Sequence, residues 1–130
     1  MRMFAALTAV GCLLGVAGSS HASQVLASPA VYGSPNQKVA VCVLGNSGTR
    51  DVPVTSFQIV DESGNAFSVE GNCGAVPAGF ICSIAAFNIP NGAAVACQAN
   101  VSNGDTIRGS LTIFDSSFEG AAALRTTELR

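Results

Sequence analysis

Tryptophan is absent from this 130-residue chain, and histidine and tyrosine occur once each. The lone histidine, His21, and both methionines, Met1 and Met3, fall within the first 22 residues. That opening, MRMFAALTAVGCLLGVAGSSHA, has a basic start at Arg2, an apolar stretch from Phe4 to Ala17 and a small-x-small site at Ser20-His21-Ala22. This is the pattern of a secretory signal peptide. Its apolar run is shorter than the roughly 20 residues that a membrane span needs. A rival reading, a lipidation box at Ala9-Val10-Gly11-Cys12, would leave a very short apolar run ahead of Cys12. Cleavage after Ala22 is therefore expected, releasing a soluble, secreted or periplasmic protein that does not insert in the membrane. The remainder, residues 23–130, has the size of one domain with one core.

Those absences remove whole classes of chemistry. With no histidine left after cleavage, a hydrolase triad lacks its usual base, and zinc could be held only by four thiolates in two closely spaced pairs. Only Cys73 and Cys82 are close in sequence, and there is no Cys-x-x-Cys for a redox centre. Acidic residues Asp61 and Glu62 are adjacent, but neighbours at a strand end face opposite ways, so a solvated turn is expected rather than a carboxylate pair. The stretch Asp61-Glu62-Ser63-Gly64-Asn65 places its glycine too early for a calcium loop and has no closing glutamate at the required position. Basic residues are few and scattered, leaving no footprint for nucleic acid or anionic lipid. The chain is expected to be non-catalytic and to need no metal or cofactor.

What is present is strand pattern. Apolar residues alternate at period two in short runs bounded by Gly, Asn, Asp and Pro, and no segment shows a helical stripe. Lys38–Leu44 is apolar on both faces, as a central strand would be. Val52–Asp61, Ala66–Glu70, Ile81–Ile89, Ala94–Val101 and Ile107–Phe114 follow as strands. Phe67 and Val69 are expected to face inward, as are Val95, Cys97, Ala99 and Val101. The run Asn103-Gly104-Asp105 reads as a hairpin turn. A polar strand over Ala121–Leu129 and an edge strand near Gln24–Tyr32 complete about seven strands, the count of an immunoglobulin-like antiparallel β-sandwich.

After removal of Cys12 four cysteines remain, enough for two disulfides in any of three connectivities. Cys42 lies in the first strong strand and Cys97 in a late one, a spacing that suits an inter-sheet bridge. Cys73 and Cys82 are then left to staple the loop NCGAVPAGFIC.

Several elements resemble the bacterial immunoglobulin-like domains related to hydin and abnormal-spindle proteins, the ASH or choice-of-anchor type. They are the Asn46-Ser47-Gly48 loop, the strand Pro53–Ile59, Asn72-Cys73-Gly74, the turn Pro77-Ala78-Gly79, Cys82, and Phe87-Asn88-Ile89-Pro90. Ala78 separates the proline and glycine of that turn, and the Phe87–Pro90 segment carries one extra residue relative to the pattern. The resemblance implies a non-catalytic domain for surface display, scaffolding or protein contact at the cell envelope.

Loops carry contacts in such a sandwich, and Arg50, Asp51 and Phe80 are the loop side chains that the strand pattern does not explain. Phe80 and Ile81 stand side by side, so both cannot face inward. One is expected to pack under the disulfide and the other at the sheet edge; the alternative is a small apolar contact patch. The loops around Asp51 and Phe80 emerge at the same end of the sandwich or at opposite ends. Asn100-Val101-Ser102 matches a glycosylation sequon. The loosely patterned segment Ser23–Pro35 also admits a different role, a subunit that polymerises by lending this strand to a neighbour.

Overall fold

The computed structural model describes residues 23–116 and 121–130. The expected leader, with Cys12 and His21, lies outside the described residues, as does Glu119. Eight strands are present: β1 Gln24–Ala27, β2 Val39–Asn46, β3 Val52–Asp61, β4 Ala75–Val76, β5 Ile81–Phe87, β6 Val95–Val101, β7 Ile107–Phe114 and β8 Ala123–Leu129. They form two four-stranded antiparallel sheets, ordered β1-β6-β3-β4 and β5-β2-β7-β8. The expected all-β sandwich is therefore what the chain forms, and among the described residues there is no helix.

Period-two alternation explains how the strands are buried. In β6 the odd positions Val95, Cys97, Ala99 and Val101 are all fully buried, and in β7 Ile107, Leu111 and Ile113 are too. The run that reads as apolar on both faces is β2, flanked by β5 and β7, with Ala40, Cys42 and Leu44 turned into the core. In β3 the inward set changes parity, from Val52 and Val54 to Phe57 and Ile59. A bulge between Val54 and Ser56 supplies the extra residue, and one extra residue exchanges the faces of everything after it.

Two expectations fail here for a topological reason. Ala66–Glu70 is not a strand: Ala66 bridges Val60 in one sheet, while Glu70 bridges Ala85 in the other. The segment crosses from sheet to sheet and cannot run along one ladder, although Phe67 and Val69 still pack against the core. Gly71 then lies against β5 with φ 102°, where a Cβ would stand 2.6 Å from the Ser83 carbonyl oxygen, so only glycine fits. Asn103-Gly104-Asp105 is not a hairpin turn either. Both flanks of β6 are taken by β1 and β3, so the chain passes to the opposite sheet to start β7.

Cys42 and Cys97 are bonded across the sandwich, joining β2 to β6 with their Cα atoms 6.1 Å apart. Both are fully buried, in the cluster that contains Leu44, Ile59 and Leu111. Cys73 and Cys82 are bonded as well, Cα to Cα 5.9 Å, and fasten the segment before β4 to β5.

Two buried amides seal the ends of β2. Before it, Gln37 is fully buried: its Nε2 donates to the carbonyls of Pro90 (2.8 Å) and Ala93 (2.6 Å), and its Oε1 accepts from Gly33 N–H (3.0 Å). Asn46 ends the strand and organises the loops at the opposite end.

Candidate functional site

Asn46 is 3% exposed and uses both ends of its amide. Its Nδ2 donates to the carbonyls of Arg50 (2.7 Å) and Val76 (3.0 Å), while Oδ1 accepts from Gly48 N–H (2.9 Å) and the Thr106 hydroxyl (2.9 Å). Its backbone N–H donates to the Phe80 carbonyl and its carbonyl accepts from Gly79 N–H, at 3.0 and 2.9 Å. A single side chain thus ties together the β2–β3 loop, the stapled loop and the β6–β7 connection. A buried amide left without partners would be costly, so this network fixes the relative placement of all three segments. The Asn-x-Gly spacing signals a local turn through Oδ1, but the partners 30 and 60 residues away carry no sequence signal.

The two candidate loops therefore meet at one end of the sandwich. Asp51 Oδ1 accepts from Ala78 N–H at 3.0 Å, so Asp51 braces the stapled loop. Arg50 is exposed, and its carbonyl is held by Asn46. Gly79 takes φ 76° and turns the chain toward β5. The expectation that one of Phe80 and Ile81 packs under the disulfide is overturned: they are 67% and 72% exposed. Phe80 precedes β5, where its carbonyl is already engaged by Asn46; Ile81 pairs with Gly45, on the outer face of its sheet. Neither position points into the core. Beside them lies an open depression of ≈ 480 Å³ bordered by Val43, Gly45, Ile81 and Arg108.

The other chemical candidates resolve into structure. All four described cysteines are in disulfides, and no group of three or more His, Cys, Asp or Glu that could hold a metal occurs among the described residues. Glu62 accepts from Ala94 N–H at 2.8 Å. Asp61 closes its own turn, accepting from Ser63 N–H (2.8 Å), Asn65 N–H (2.9 Å) and Asn65 Nδ2 (3.2 Å). Asn100 sits in β6 between β1 and β3, with its Oδ1 buried and unpartnered, so the sequon lies inside a paired strand.

The Asp61 turn predicts a pH dependence. The Asn65 backbone N–H, then its side-chain amide and the Ser63 and Gly64 N–H groups, lower the carboxyl below its ordinary 3.8 against a smaller opposing effect of burial. Because the folded-state value is depressed, the stabilisation is present above the unfolded value and is lost as pH falls through the folded one. Asp61→Ala is expected to be less stable than the parent at neutral pH. The gap should narrow below about pH 4 and close once the folded-state carboxyl is protonated. Denaturant melts across this range check the sign, and a gap that stays constant into strong acid would contradict it.

Compared with known proteins, the chain matches no family model, no curated protein and no solved structure. Fold and site together define a disulfide-bonded antiparallel β-sandwich with an apolar pair displayed at one end. No helix among the described residues is long and apolar enough to cross a membrane.

Proposed function

We propose that this is a secreted or periplasmic, non-catalytic β-sandwich with a structural or protein-binding role at the cell envelope, making its contacts through the end organised by Asn46. The observation that carries this reading is the exposed Phe80-Ile81 pair on a loop fixed by a disulfide and by Asn46. A large apolar side chain on a fixed backbone adds contact area without the cost of ordering its loop, and aromatic residues and arginine are enriched at protein interfaces. Arg50 and Asp51 on the adjoining loop supply the polar rim. Export follows from the leader pattern, and two disulfides suit an oxidising compartment. The resemblance to ASH-type domains implies the same kind of role.

Phe80→Ser is expected to reduce recovery of an envelope partner by tenfold or more while moving stability by only about 0.5 kcal/mol, the usual range for an exposed position. Arg50→Ala should weaken capture less. Affinity capture from the native envelope, run beside thermal melts, measures both. A fall of many degrees in the Phe80→Ser midpoint would mean that Phe80 contributes to the core and would end this assignment.

A second reading, a strand-lending subunit of a fibre, draws on β1. It has four residues, its Val25 is 66% exposed, and in the sheet it pairs only with β6. Against it, Ala27 and Arg130 exchange two backbone hydrogen bonds and Ser28 is locked to Cys97, so the strand is fastened at its far end.

A further inference from the structure

The geometry points to the outer face of the β5-β2-β7-β8 sheet as a contact with a second copy of this chain, related by a two-fold axis that crosses β2 near Val43. Phe80 lies outside this contact, whereas Ile81, in the same cross-strand row as Gly45 and Arg108, would be covered by it. Solvent-facing sheets usually alternate with polar residues, but here the outward positions of the central strand are Val39, Val41 and Val43; Val39 is covered within its own chain, which leaves the half-buried Val41 and Val43 as the accessible apolar centre, with Ser83, Ala85, Ser110 and Thr112 beside them. Among the outward residues of the four strands, the charges are Arg108 and Glu128, of opposite sign; Lys38 and Glu70 stand at the rim. Depletion of charge around an apolar centre is the mark of an interface core rather than of free surface.

The occupant follows from how those two charges are placed. Arg108 lies in the cross-strand row with Gly45 and Ile81, and Glu128 in the next row, with Ser110, Val43 and Ser83. Strands about 4.8 Å apart and same-face residues about 6.6 Å apart along a strand put the two on a short diagonal. A two-fold axis in the plane of contact, bisecting that diagonal, continues over β2 near Val43. It carries Arg108 of each copy over Glu128 of the other, forming the ion pair twice, as a self-complementary interface requires. Among the described residues Arg108 Nη1 engages the carbonyls of Asp105, at 3.2 Å, and of Ile107 at the start of β7, at 2.7 Å, and its other donors are available. Among the described residues Glu128 meets Arg130, at 3.8 Å and in solvent. Four strands of about eight residues present roughly 500 Å² per copy. The total of about 1,000 Å² is at the low end for a specific contact, the range of weak, transient encounters, so the dimer should be weak and reversible.

Sedimentation equilibrium of the purified protein over a wide concentration range tests this. Reversible dimerisation is expected, with Arg108→Glu and Glu128→Arg each weakening it about tenfold or more and the double charge reversal returning it to within about threefold of the parent. Arg108→Gln, with an intermediate loss, serves if Arg108→Glu does not fold. A protein that stays monomeric throughout overturns the inference, as do single reversals without effect or a double reversal that rescues nothing. Association that ignores both charges and vanishes when Gln24–Ala27 is deleted would assign self-contact to strand exchange instead, and overturns it equally.

Discussion

Replacing Cys42 and Cys97 together by alanine is expected to destabilise the fold by about 4 kcal/mol, lowering the thermal midpoint by roughly 20 °C. The bond closes a loop of 55 residues in sequence, half of the expected mature domain. In the chain-entropy account such closure removes a large share of the conformations of the unfolded state. Its position adds to this. β2 and β6 belong to different sheets, and both sulfurs are buried in the core between them, so alanine would also leave space that neighbouring Ile59 and Leu111 can fill only partly. The Cys73–Cys82 bond spans nine residues and is worth less by the same estimate, about 2.5 kcal/mol. Calorimetry of the double variant against the parent decides the matter. A midpoint within a few degrees of the parent would show that packing alone holds the sheets together.

The second large effect is expected at Asn46. Asn46→Ala removes four side-chain hydrogen bonds at once, among them the bond to the Val76 carbonyl in a buried site. A loss of about 3 kcal/mol follows from the desolvation of the orphaned groups, which should appear as a midpoint lower by roughly 10–15 °C. Ser47→Ala, which removes one exposed hydrogen bond to the Thr106 carbonyl, is the control and should cost about 0.5 kcal/mol or less. Asn46→Ala, in contrast, should loosen the loops that carry Arg50 and Phe80, so hydrogen exchange at Gly48, whose amide bonds to Asn46 Oδ1, and at Gly79, whose amide bonds to the Asn46 carbonyl, should accelerate more than at the centre of β6. Equal stability of Asn46→Ala and Ser47→Ala would show that water replaces the amide, and that the end of the sandwich is not built around it.

The alternation of Val95, Cys97, Ala99 and Val101, or of Ile107, Leu111 and Ile113, determined strand, face and core together, because on a pleated chain period two has only one reading. The even cysteine count and the spacing of Cys42 from Cys97 carried the pairing as far as an expectation. Local sequence could not show that Ala66–Glu70 crosses between sheets, that Asn103-Gly104-Asp105 does the same, or that Ala75-Val76 is a strand, since each depends on which ladder flanks were already occupied. Phe80 and Ile81 were legible as a pair that could not both be buried; that neither is depended on the Asn46 bonds and on the register of β5 against Gly45. Propensity and periodicity act over a few residues and are written in order along the chain. The partners of Asn46 at Val76 and Thr106, and the meeting of the Arg50 and Phe80 loops, are contacts across 30 to 60 residues that only the assembled sheets decide.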